Sequence, residues 1–228
     1  MSSVLRALCL AALIGAIAPA WAATQVDVCF NYGCQSQATV AFDEALLQAA
    51  AAELAQAQDA AQERARLATV IGWLYRAAGT QSAIGADRKG NRADEGVFGK
   101  MDCIDHSTTT TRLLDMLQAR GLLHFHRVVP KARRTSFVLF QHFSAVVEEI
   151  DAPSPVVAPQ ITPDHVPVLM ALCDCVPPAP PAGDQPIASA ARSDGARYVV
   201  DSWFVEQGEP AVVLPLADWL DGDGPNVP

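Results

Sequence analysis

The chain has 228 residues, 50% of them hydrophobic, and its 25 acidic against 16 basic residues give a formal net charge of −9. That acidity argues against nucleic acid and anionic lipid as partners, because KARR at Lys131 to Arg134 is the one basic run of any length. The length suits one domain with a substantial core and is too short for two large ones.

The opening MSSVLRALCLAALIGAIAPAWAA carries one basic residue, Arg6, then an apolar run from about Leu8 to Ile17 and small residues around Trp21. This is the layout of a secretory signal peptide over residues 1–23. A membrane anchor needs roughly 20 apolar residues, and this run is shorter and ends at Pro19. The expectation is a periplasmic or secreted protein, residues 24–228, with no integral membrane span after cleavage. Loss of Arg6 leaves 15 basic residues against 25 acidic ones, a charge of about −10.

Five cysteines then persist, at 29, 34, 103, 173 and 175. In an oxidising compartment an odd number leaves at least one thiol unpaired. Cys29 and Cys34 flank an Asn-Tyr-Gly turn signal, which favours a small-loop disulfide. Cys173 and Cys175 are separated by one residue, so a bridge between them would be strained. A metal or redox pair, pairing with the N-terminal cysteines, and simple reduction stay open for them.

Helical spacing of Phe42, Ala45, Leu46, Ala49 and Leu54 predicts a helix over Val40 to Gln58. A second is predicted from Ala60 to Ala78, with Leu67, Val70, Ile71, Leu74 and Tyr75 on one face and Gly79 as its stop. Residues 79–101 read as a solvated connection. The run DRKGN lacks the alternate oxygen ligands and distal glutamate of a calcium loop.

Asp102 is a competent N-cap, and Cys103, His106, Thr110, Leu113, Leu114 and Leu117 follow at helical spacing until Gly121. Cys103 therefore falls in a first helical turn. The free amides and dipole there favour a negative charge, so the thiol is expected to ionise below its ordinary value of about 8.5. A nucleophile also needs a base, and the base an orienting group.

Three strands are predicted after this helix, over Leu122 to Val129, Phe137 to Ile150 and Arg197 to Phe204. Between the last two, Asp151 to about Ser193 holds ten of the 16 prolines and reads as an insertion. With it removed the two strands form an antiparallel hairpin, with His142 about eight positions before the turn and Asp201 about seven after it. An aspartate inside an apolar strand needs a partner, and an imidazole on the neighbouring strand supplies one. A short edge strand near Ala211 to Leu214 and a turn of helix at Leu216 to Leu220 close the chain, with Trp219 and Leu220 as packing residues.

The segment MDCIDHSTTTTRLLDMLQARGL resembles the active-site helix of the transglutaminase-like superfamily, whose common form is Gly-Asp-Cys-x-Asp-His-Ala before an amphipathic helix. His142 in HFSAVV and Asp201 in YVVDSW are similar to that superfamily's second and third triad positions, in the order Cys, His, Asp. The resemblance spans roughly Leu67 to Phe204, and secreted bacterial members look closer than the large animal cross-linking enzymes. It implies an α+β, papain-like fold, with N-terminal helices and the active-site helix packed on an antiparallel β-sheet. It also implies a thioester-forming enzyme acting on a protein or peptide substrate, with Cys103 as nucleophile, His142 as base, Asp201 as orienter and amides at the helix start as oxyanion donors. Hydrolysis is favoured over transamidation, because nothing defines an amine-acceptor site.

The sequence departs from the family at Met101, where glycine is usual, at Phe143 and Ser144, where Ala-Trp is common, and at Ser202, where proline is common. Asp105 and His106 match the motif and are read as supports, with His106 a second-choice base. No cofactor and no metal are implied. Two alternatives stand beside the enzyme. One is a catalytically silent binding or scaffold protein. The other is a metal or redox module built from His124, His126, Cys173 and Cys175.

Overall fold

A computed structural model describes residues 23–91, 93, 95–136, 140–150 and 195–225. The expected signal peptide and the Pro-rich insertion, with Cys173 and Cys175, lie outside the described residues.

The chain begins with a hairpin that the periodicity did not predict. Strand β1 (Thr24–Phe30) pairs antiparallel with β2 (Ser36–Phe42) in continuous register from Thr24↔Phe42 to Phe30↔Ser36. Alternation buries Val26, Val28 and Phe30 on one strand and Val40 and Phe42 on the other. The helix expected to start at Val40 starts four residues later. Asp43 accepts from the Leu46 amide and caps α1 (Glu44–Leu54), which buries Leu47, Ala50 and Leu54. The alanine-rich run is helical, but Val40 and Phe42 serve the strand, because their spacing of two also satisfies a half-buried hairpin.

Asp59 caps α2 (Ala60–Gln81), which runs past the expected stop at Gly79 and is followed by a short 3₁₀ turn, Ala83–Ala86. Its buried face carries Leu67, Val70, Ile71, Leu74, Tyr75 and Ala78. Helix α3 (Cys103–Ala119) follows, with Arg120 as its C-cap and Gly121 at φ 70° just beyond.

A four-stranded antiparallel sheet has the order β3 (His126–Ser136), β4 (Phe140–Glu149), β5 (Arg197–Asp201), β6 (Val212–Pro215). Helix α4 (Leu216–Leu220) is the last element among the described residues. The architecture is α+β with antiparallel sheets, and among the described residues no helix is long and apolar enough to cross a membrane. Alternation along the strands divides the core in two. Ala145, Val147 and Val200 join the cluster that contains Leu113, Leu114 and Leu117 of α3, while Val146 and Val199 join Phe204 and Trp219. Thus α3 lies against one face of the sheet and α4 against the other.

The β4–β5 ladder runs from Glu148↔Arg197 to Ala145↔Val200. Its Glu148 end, where the Glu149 amide also bonds the Ala196 carbonyl, is the end from which residues 151–194 depart. His142 lies beyond the other end.

Candidate active site

The ladder register sets Asp201 opposite Ser144, and His142, two residues earlier, shares that face as the diagonal neighbour. The expected direct opposition of His142 and Asp201 is thus shifted by one diagonal step, which keeps the side chains within reach. His142 Nε2 lies 2.8 Å from Asp201 Oδ2. Asp201 is 2% exposed, and its remaining valences are filled by protein donors: the Trp219 indole N–H to Oδ2 at 3.2 Å and the Trp203 amide to Oδ1 at 3.2 Å. The imidazole sits among Trp203, Phe204 and Trp219, with ring centroids 4.7, 5.3 and 5.5 Å away. Nδ1 has no protein partner among the described residues, so one nitrogen is anchored and the other is open.

Cys103 comes from the opposite face. Asp102 caps α3 by accepting the Ile104 and Asp105 amides at Oδ1, and its own amide donates to Asp105 Oδ2, which completes a capping box. The chain reaches this cap through Gly99, at φ 103°, where a Cβ would stand 2.0 Å from the Ala83 carbonyl oxygen. The close approach therefore falls on Gly99, and Met101, two residues before the cysteine, is fully buried. The Cys103 thiol donates to the Gln141 carbonyl at 3.7 Å, and the Phe143 amide points at the sulfur. The sulfur therefore meets β4 at the backbone on both sides of His142, on the edge left bare where the β5 ladder has ended.

The thiol is not the easily ionised group that the helix terminus alone predicts. Burial pushes it up to about 11, and the charges of Asp102 and Asp201 push the same way, against the Phe143 amide and its own amide. A helix end contributes about half a charge, which burial plus two carboxylates outweigh. Cys103 is the one free cysteine among the described residues, while Cys29 and Cys34 form a disulfide.

That disulfide closes the β1–β2 turn, in which Asn31, Tyr32, Gly33 and Cys34 all have positive φ between 59° and 65°. Asp105 holds the turn onto α3 by accepting the Tyr32 amide at 2.8 Å and the Cys34 amide at 2.5 Å. Burial raises the Asp105 carboxyl to about 6, helped by Asp102 and opposed by the three amides. Because the folded value exceeds the ordinary value near 3.9, its contribution to stability is complete below about pH 4 and is lost as the pH rises through 6. An Asp105→Asn variant is expected to lose this dependence. In chemical denaturation its stability relative to wild type should rise between pH 4.5 and 7.5, on top of a pH-independent loss of about 1–3 kcal/mol from misdirected amides. A constant difference across that range would exclude the titration.

His106 faces away from the sulfur, into a buried network. Its Nδ1 meets Ser202 Oγ at 2.9 Å, Ser202 Oγ meets Thr110 Oγ1 at 3.0 Å, and Thr110 Oγ1 meets the Tyr75 hydroxyl at 2.9 Å. Its Nε2 lies 3.1 Å from Asp87 Oδ2, close enough for an ion pair although not aligned as a hydrogen bond. Burial opposes a charge on this imidazole, but Asp87, reinforced by Asp201 and Asp105, raises its pKa above the ordinary value. His106 is a support and not a base for Cys103. Ser202 is buried and serves this network.

The connection read as solvated is solvated only in part. Asp87 is fully buried and also accepts the Met101 amide at 2.7 Å. Asn91 accepts the Trp203 indole N–H through Oδ1 at 2.6 Å and the Tyr32 hydroxyl through its carbonyl at 3.1 Å, and the Gly90 amide donates to the Trp203 carbonyl at 3.0 Å. Sequence reasoning missed Asp87 and Asn91, and it read Trp219 as a packing residue without its hydrogen bond to Asp201. The signals available were weak: an aspartate in a polar loop, and a tryptophan in the last short helix.

The four-ligand metal alternative loses a member. His126 is buried, with Nδ1 2.7 Å from Glu63 Oε2 and Nε2 3.3 Å from an Arg64 nitrogen, so both ring nitrogens are committed. His124 precedes the strand and is exposed, with its amide bonded to Glu63. The Cys29, Cys34 and Asp105 donor atoms cluster, but both sulfurs are spent in the disulfide. Comparison with protein-family models, with curated proteins and with solved structures returned no significant match.

Proposed function

We propose that the chain is an exported, transglutaminase-like cysteine enzyme with a papain-like arrangement, hydrolysing a peptide or carboxamide bond through Cys103, His142 and Asp201. One observation carries the reading: Cys103 Sγ rests against the backbone flanking His142, whose Nε2 is tied to a buried carboxylate.

The chemistry follows from that order. The Cys103 proton passes to His142 Nδ1 as the sulfur attacks the carbonyl carbon, forming the C–S bond. Asp201 holds the imidazole and stabilises its positive charge. Among the described residues the Cys103 amide makes no hydrogen bond apart from facing its own sulfur, so it is a donor for the oxyanion at the helix start. Collapse breaks the C–N bond, and His142 gives its proton to the leaving nitrogen. Water then attacks the thioester, His142 takes its proton, the C–S bond breaks and the thiol is restored. A thiol pushed up to about 11 on its own makes this coupled transfer necessary, since ionisation without His142 would be negligible at neutral pH.

The same raised thiol favours the second reading, a silent relative in which Cys103 is an inert buried group. Trapping separates the two. The protein is mixed with an undirected peptide library, acid-quenched, and the Cys103 fragment weighed by mass spectrometry. The enzyme reading expects hydroxylamine-labile acyl adducts that vanish in Cys103→Ser. Absence of any adduct, together with iodoacetamide labelling no faster than that of a buried model thiol, would sink it in favour of the silent protein.

A further inference from the structure

Resting on that reading of Cys103, we infer that Lys131 and Arg112 form an anion subsite beside the nucleophile that takes a carboxylate of an acidic peptide substrate. Six of the chain's arginines are spent on glutamates: Arg64, Arg66, Arg88, Arg120, Arg127 and Arg197 each lie in an ion pair. Lys131 and Arg112 have none among the described residues, in a protein with a large acidic excess. The exposed Lys131 ammonium is held by Thr108, donating to its Oγ1 at 2.9 Å. Thr108 and Arg112 are i, i+4 on α3, which sets the two cations side by side on the helix surface. Arg112 is fixed from the other direction. Its Nη1 donates to the Asp27 carbonyl at 2.9 Å and to Gln37 Oε1 at 3.0 Å, and also contacts Cys29 Sγ at 3.4 Å, while Nη2 and Nε bond no group among the described residues.

Two like charges held together repel, and a bound anion relieves that repulsion. Partial burial and Arg112 pull the Lys131 pKa down, whereas ionised Cys103 would push it up, so the ammonium lies in electrostatic reach of both. Thr108 is five residues from Cys103, about 7.5 Å along the helix axis and about 140° around it, or about 12 Å across the helix surface. That is about three to four residues of an extended peptide, so the carboxylate belongs to a side chain a few residues from the scissile bond. The protein as a whole repels acidic peptides, which makes a local preference for one diagnostic.

The test uses the full Cys103→Ala chain and titration calorimetry at low ionic strength. The probes are a capped hexapeptide alternating Ala and Glu, its Gln counterpart, and the Gln peptide with a free C-terminus. The Glu peptide is expected to bind at least fivefold tighter than the Gln peptide. The preference should be lost in Lys131→Glu, retained in Lys131→Arg and weakened by 0.5 M salt. A gain on freeing the C-terminus would assign the subsite to a terminal carboxylate instead of a side chain. Equal binding of all three, no binding, or a Glu preference that survives Lys131→Glu overturns the inference. Iodoacetamide labelling of the wild type is read separately: an unreactive Cys103 removes the enzyme reading and leaves the binding result standing.

Discussion

A His142→Ala variant is expected to slow iodoacetamide alkylation of Cys103 at pH 7 by about 100-fold or more, the range associated with removing a positioned base. The sulfur stays in place, because it is held by the Gln141 carbonyl and not by the imidazole ring. Without a proton acceptor its ionisation falls to what burial, Asp102 and Asp201 permit. At about 11, one thiol in roughly 10⁴ is ionised at neutral pH. The variant's rate should therefore climb about tenfold per pH unit until the pH nears 11, while the wild type, with His142 present to take the proton, should stay above it at neutral pH. Equal rates at pH 7 would mean that His142 does not share the thiol's proton. Asp201→Asn is the companion variant, because it keeps a side chain of the same shape while removing the charge that favours the imidazolium.

Replacing Asp87 by alanine is expected to be the most destabilising change, by about 3–5 kcal/mol, the usual cost of removing one partner from a buried ion pair. Asp87 has no exposed surface and His106 is 2% exposed, so neither water nor rearrangement offers a substitute. The Met101 amide loses its acceptor at the same time. Asp87→Asn keeps that acceptor and should fall between the two. Since the His106 pKa is raised in the fold, the stability it contributes is complete below the ordinary imidazole value and is lost as the pH rises through its folded value. Urea titrations across that window should show wild-type stability declining with pH and the Asp87→Ala variant flat. A loss under 1 kcal/mol would show that the pair is neutral in the fold.

The elements with strong local signals were legible in the sequence. Asp102 announced the start of α3 and Gly121 its end, because an N-cap and a left-handed glycine are local requirements. Alternation of apolar residues found β4 and β5 and, with the proline-rich segment set aside, placed His142 near Asp201. Leu216 to Leu220 was legible as a turn of helix. Three things were not. Val40 and Phe42 satisfied helix and strand equally, and the hairpin partner β1 decided between them. Asp87 looked like any loop acid, since its burial depends on His106 nineteen residues away. The ionisation of Cys103 was misjudged because Asp201, almost a hundred residues downstream, and the burial around the sulfur are tertiary facts that a helix terminus does not report.

Sulfur and imidazole are carried by separate slabs of the molecule, one by a helix on the first face of the sheet and the other by a strand whose side chain points to the second. A slip of an ångström along the seam between them changes the sulfur-to-nitrogen gap by a similar amount without breaking a bond inside either slab. Residues 87–91 cross that seam, gripping the helix through Met101 and His106 and the sheet through Trp203. The spacing of Cys103 and His142 is therefore set by this five-residue staple together with the thiol's own contact to the Gln141 carbonyl.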